Sequence, residues 1–113
     1  PVKIIIAPTR REKDGLAMSS RNKYLSSSQR EQATILWRAI QYAKQRVGAK
    51  AFPAELLKKD LRKLIAGQSE ARLDYVEFFN PETLQPVEKV KSGAQIALAV
   101  FIGKTRLIDN AKL

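Results

Sequence analysis

Cysteine and histidine are both missing from this sequence. Without cysteine there is no disulfide framework and no thiolate nucleophile. Without histidine the commonest general base and the commonest zinc ligand are absent, and no other metal-ligand spacing replaces them. Long hydrophobic runs are lacking too: no stretch of eighteen apolar residues is available to cross a bilayer as a helix. Aromatic residues are few, one Trp, three Tyr and four Phe, and they are not interleaved with basic residues as a reader of single-stranded nucleic acid requires. Acid is scarce in residues 1–50, where three Asp or Glu face eleven Lys or Arg, whereas residues 51–113 hold eight against ten. The net charge of +10 is therefore concentrated in the first half, which favours an anionic partner, a nucleotide triphosphate or a nucleic acid.

Apolar residues make up 44% of the 113 positions, enough for one modest core and too many for a disordered chain. The amino terminus starts at Pro1 without a Met and carries no cleavage pattern, so the chain reads as an excised piece of a longer cytoplasmic protein. Lys3-Ile4-Ile5-Ile6-Ala7, closed by Pro8, has the composition of a strand. Ser28-Gln29-Arg30-Glu31 has the spacing of a capping box. Behind it Ala33, Leu36, Ile40, Ala43 and Val47 share one helical face with Trp37 beside it, and Gly48 ends the run. Phe52-Pro53 opens a second helix with the stripe Ala54, Leu57, Leu61, Leu64 and Ile65 and the stop Gly67. Lys58, Lys59, Arg62 and Lys63 fall on its other side, as a solvated face. Residues 72–79, 94–102 and 105–109 read as strands, the last two joined through a two-residue turn of type II′ at Gly103-Lys104. The expected architecture is α+β: a two-helix layer packed on a small, mostly antiparallel three-stranded sheet.

Between strand and helix lies Asp14-Gly15-Leu16-Ala17-Met18-Ser19-Ser20-Arg21-Asn22, which fits neither a period of 3.6 nor one of 2. Hydroxyls and backbone N–H groups donate hydrogen bonds, arginine takes phosphate oxygens two at a time, and glycine lets backbone approach closely. Such a loop is dressed for an anion, although an ordinary surface connection has a similar composition. Few large apolar residues anchor positions 9–24, so low local stability is expected there. Ser19 and Ser20 have no base to activate them, and Asp74, Glu77 and Asp109 sit in or beside strands, where an ion pair or a turn bond explains them. These groups stabilise charge; they do not run covalent chemistry.

The segment Arg11-x-x-Asp14-Gly15-Leu16-Ala17-Met18-Ser19-Ser20-Arg21-Asn22-x-Tyr24-Leu25 resembles the second nucleotide-binding motif of the pantothenate synthetase (pantoate–β-alanine ligase) family. The tail Gly103-Lys104-Thr105-Arg106-Leu107-Ile108-Asp109-Asn110 and the segment Leu73-Asp74-Tyr75-Val76-Glu77 are similar to the same family. The resemblance implies a carboxy-terminal domain of the lid type. Residues 1–25 would be the inter-domain strand and the ATP-binding loop, 26–67 the helical pair and 72–110 the three-stranded sheet. It implies ATP as co-substrate, accompanied by Mg2+ with no protein-bound metal. Pantoate and β-alanine would be held by an amino-terminal domain absent here. The full-length enzyme would be a homodimer, and the fragment a monomer without activity, nucleic acid or membrane. Arg21, Ser19 and Ser20 would be the catalytic phosphate ligands. Met18 would lie by the adenine, and Arg10, which replaces a usually apolar residue, would meet it through backbone. A small basic nucleic-acid-binding domain is the alternative reading.

Overall fold

Ser26 opens the helical layer. Its hydroxyl accepts the N–H of Gln29 at 3.2 Å, while the Gln29 side chain accepts the Ser26 N–H at 3.0 Å. This reciprocal cap stands two residues ahead of the expected one, because glutamine at the third position suits the box as well as glutamate does. The computed structural model describes residues 10–48 and 50–113, and the strand expected at residues 3–7 lies outside them. Helix α1 covers Ser27–Gln32 and α2 covers Ile35–Val47, where one continuous helix was expected. The break falls at Thr34, whose hydroxyl donates to the Glu31 carbonyl at 2.8 Å. A threonine that bonds back to the preceding turn competes with the helix's own ladder. Ile35, Leu36, Ala39, Ile40, Ala43 and Val47 are buried, which is the expected face plus two neighbours.

Helix α3 covers Ala54–Ala66 and buries Ala54, Leu57, Leu61 and Ile65, with Leu64 half-buried. Phe52-Pro53 does not begin it: these residues form a two-residue strand, β1, paired antiparallel with β3 at Lys89–Val90. Pro53 lacks an N–H, so it suits the boundary between a short ladder and a helix. Lys59, Arg62 and Lys63 are exposed or nearly so, as expected. Lys58 is drawn against the sheet, donating to Glu77 at 3.1 Å and lying 3.7 Å from Glu55.

The sheet is β2 (Ala71–Phe79), β4 (Gln95–Ile102) and β5 (Thr105–Lys112), antiparallel throughout in the order β2-β4-β5. Central β4 is buried almost end to end, as its apolar run demands. Gly103, at φ 60°, closes the β4–β5 hairpin, the conformation a II′ turn asks of its first residue. Strand β5 runs three residues further than expected. The register shifts between Leu73 and Tyr75, so Asp74 is the extra residue of a bulge. The bulge brings its carboxylate to the Arg106 Nε at 2.9 Å. α2, α3 and the inner face of the sheet enclose one core. The loop that precedes α1 rests on the free edge of the three-stranded sheet, along β5.

Candidate functional site

The loop has two limbs of different construction. The first, residues 10–18, is a tight hairpin: Met18 N–H donates to Arg10 O at 2.8 Å and Glu12 N–H to Leu16 O at 2.8 Å. Glu12 O closes the turn by accepting the Gly15 N–H at 2.9 Å. Asp14 accepts the Leu16 N–H at 3.3 Å, and Gly15 takes φ 93°, where a side chain is strained. The closeness that glycine allows is used here against Trp37, since a Cβ on Gly15 would lie 2.1 Å from the indole Cδ1. Leu16 is 2% exposed and part of the core. This limb is thus anchored, contrary to the expectation of low stability throughout. The anchors are charged and aromatic groups from distant parts of the chain, which counting apolar residues within the loop does not register.

Arg11 holds the limb down. Its Nη1 and Nη2 donate to Asp109 Oδ2 and Oδ1 at 2.6 and 2.9 Å, a forked pair whose carboxylate side is fully buried. Nη1 also donates to Gly15 O at 3.1 Å, and the guanidinium lies 4.3 Å from the centre of the Trp37 ring. Asp14 is tied separately to α1 by Arg30, at 2.7 and 3.1 Å. That hydrogen-bonded guanidinium lowers the Asp14 carboxyl below its ordinary value. The expectation of ion pairs for Asp74, Glu77 and Asp109 thus holds, with Arg106, Lys58 and Arg11 as partners.

The second limb turns outward. Ser19, in extended conformation, caps a 3-10 turn over Ser20–Tyr24, its hydroxyl accepting the Arg21 N–H at 3.1 Å. Asn22 Nδ2 reaches back to Ala17 O at 3.1 Å and so joins the limbs. Its Oδ1 is buried without a hydrogen-bond donor. Arg21 lies across the strand edge, Nη1 donating to Arg106 O at 3.2 Å. Among the described residues no carboxylate lies within ion-pair distance of Arg21, whereas Arg11, Arg30 and Arg106 each have one.

Between the second limb and β5 is a cleft of about 280 Å³. Met18, Ser19, Arg21 and Asn22 line one side and residues 106–110 the other, with Leu16, Ala17 and Leu36 below. Three of the five expected site residues, Met18, Ser19 and Arg21, therefore meet at one place. Ser20 is exposed and starts the 3-10 turn outside the lining. Arg10 is exposed as well, and its carbonyl is already taken by Met18. Two exposed apolar side chains face this cleft, Met18 at 52% and Ile108 at 57%. Ile108 and Arg106 were not among the expected site residues. Strand alternation in 105–109 was their available signal: Leu107 and Asp109 turn inward, so Arg106 and Ile108, which alternate with them, belong to the other face.

The one carboxylate among the residues that line this cleft, Asp109, is paired with Arg11, and among the described residues no carboxylate is within ion-pair distance of Arg21, which stands beside Ser19 and the exposed Met18. These residues line one edge of a two-layer α+β domain. The family model described as pantoate-beta-alanine ligase matches residues 1–112, and the chain belongs to that family. It is 48% identical to the pantothenate synthetase of Caldicellulosiruptor saccharolyticus, over 96% of this chain and 39% of that protein. With the pantothenate synthetase of Carboxydothermus hydrogenoformans the identity is 49%, over 96% of this chain and 38% of the relative. The solved pantothenate synthetase of Thermus thermophilus superposes with a TM-score of 0.81 at 36% identity, covering 94% of this chain and 38% of that one. The pantoate-beta-alanine ligase of Francisella tularensis, crystallised with beta-gamma ATP and beta-alanine, superposes at 0.55 and 30% identity, covering 96% and 32%. The chain thus spans about 39% of the length of the curated relatives it matches.

Proposed function

We propose that this chain is the part of an AMP-forming pantoate–β-alanine ligase that presents a phosphate-binding loop to ATP. The observation that carries the reading is Arg21. It stands on the cleft with no carboxylate partner among the described residues, and its side chain donates to an exposed backbone carbonyl that it can exchange for phosphate oxygens. In the reaction a pantoate carboxylate oxygen bonds to the α-phosphorus of ATP and the bond to pyrophosphate breaks. The β-alanine amine then attacks the acyl carbon of pantoyl-adenylate and AMP leaves. Negative charge builds on the pyrophosphate in the first step, and preorganised donors at that position lower its barrier. Arg21 clamps the phosphates, Ser19 donates its hydroxyl, and Ser20 offers hydroxyl and N–H once the nucleotide bends over the turn. Met18 covers the adenine. The Arg10 backbone is the weakest member of this set, because the hairpin uses its carbonyl. Mg2+ would accompany ATP as part of the co-substrate and would help neutralise its charge. The remainder of the ligase holds pantoate, β-alanine and most of the nucleotide.

Arg21→Lys and Arg21→Ala in the complete ligase test this. Lysine cannot reproduce a forked contact. A charge-assisted bond of about 1.5–3 kcal/mol that tightens in the transition state corresponds to about ten- to a hundred-fold in rate. In single-turnover measurements Arg21→Ala is expected to slow adenylate formation by that factor, Arg21→Lys less. Attack of β-alanine on preformed adenylate is spared. Adenylate formation within about twofold of the parent removes the phosphate clamp.

A further inference from the structure

Asp109 is a carboxylate on the wrong face of its strand. Along β5 it alternates with exposed neighbours and turns inward with Leu107, toward an apolar core. A hydrophobic residue there would serve packing as well, since replacing a buried ion pair by apolar groups of similar volume is often neutral or stabilising. What the pair supplies is position. The Arg11 guanidinium joins three pieces of the fold that have no covalent link nearby. It bonds Asp109 through both amino groups and the Asn110 carbonyl at 3.3 Å on β5. It bonds the Gly15 carbonyl at the tip of its own hairpin and covers Trp37 on α2. Asp109 is itself fixed, Oδ1 accepting the Asn110 N–H at 2.7 Å. Arg11 does not line the cleft, whereas Asp109 and Asn110 form one wall of it, and the limb that Arg11 clamps runs directly into Met18, Ser19 and Arg21 on the other.

We propose that Arg11 and Asp109 are positioning residues: their forked pair sets the spacing between the two walls of the cleft, so that Ser19 and Arg21 meet the nucleotide phosphates in register. The proposal rests on the phosphate reading of the cleft. It assigns the pair no contact with substrate. Its consequence is that stability and adenylate formation separate when the pair is exchanged for apolar groups.

The test is Arg11→Met/Asp109→Leu in the complete ligase, compared with Arg21→Ala and the parent. The double substitution removes both charges at once, so no buried charge is left unpaired. Thermal unfolding is expected within a few degrees of the parent, with adenylate formation down by about 10- to 100-fold, the range of a misplacement of about 1 Å. The β-alanine half-reaction, run on preformed adenylate, should change by less than about threefold, because pyrophosphate has already left. Arg11→Lys keeps the charge without the fork and is expected to fall between, its loss appearing in kcat for the first step. It decides the matter if the double variant does not fold. Adenylate formation within about twofold of the parent in the folded double variant, or in Arg11→Lys if the double does not fold, overturns the positioning role while a slow Arg21→Ala leaves the phosphate reading standing. A silent Arg21→Ala overturns both.

Discussion

Gly15→Ala is the sharpest single perturbation of the anchored limb. Its cost has two separable parts. Gly15 has φ 93°, and placing an L-residue in the left-handed region costs about 1–2 kcal/mol. The new methyl would lie 2.1, 2.3 and 2.5 Å from three atoms of the Trp37 indole, well inside the roughly 3.5 Å at which carbon atoms rest. Relieving that overlap means shifting either the hairpin or the ring beneath Arg11, an overpacking cost of about 1–3 kcal/mol. The expected total is about 2–5 kcal/mol, a large part of the roughly 5–15 kcal/mol that holds a small domain together. For a domain of this size that lowers Tm by about 8–20 °C. Gly93 isolates the first part, having φ 97° but nothing within 4 Å of where a methyl would stand. Gly93→Ala should therefore cost only about 1–2 kcal/mol. Urea unfolding followed by the fluorescence of Trp37, the only tryptophan, and by circular dichroism measures both. If the two variants lose the same stability within about 0.5 kcal/mol, Gly15 does not approach Trp37 closely and the limb is not anchored by that contact.

The Asp14–Arg30 pair predicts a pH dependence. The folded pKa of Asp14 lies below its unfolded value, so the pair's contribution is complete above the unfolded value, near pH 4, and disappears as pH falls through the lowered one. NMR titration should find Asp14 below the usual carboxylate range and Arg30→Gln should return it; an Asp14 that titrates normally in the parent contradicts the pairing. The 113-residue chain by itself is expected to form no pantothenate from pantoate, β-alanine and ATP. Turnover clearly above a mock preparation would show that the catalytic groups are not divided as proposed.

Local pattern determined much of this protein. The buried stripes of α2 and α3, the apolar run of β4 and the glycine at the β4–β5 turn were legible because each depends on neighbours within a few residues. The loop too was visible, as a stretch with no structural period and an excess of donors. Helix boundaries were less so: Ser26 and Ser28 both offer hydroxyls at workable spacing, and a threonine inside an apolar pattern does not announce that it will bond backwards. Only the tertiary structure decided what holds the loop. Arg11 and Asp109 are ninety-eight residues apart, and neither residue type nor spacing says that they meet. Nothing local reveals that the space beside Gly15 is filled by an indole from α2. Nor does residue type say which of the arginines near the cleft has no carboxylate partner among the described residues. Long-range pairing follows from how the helices and strands pack, and that packing turns Met18, Ser19, Arg21 and Asn22 into one wall of a cleft.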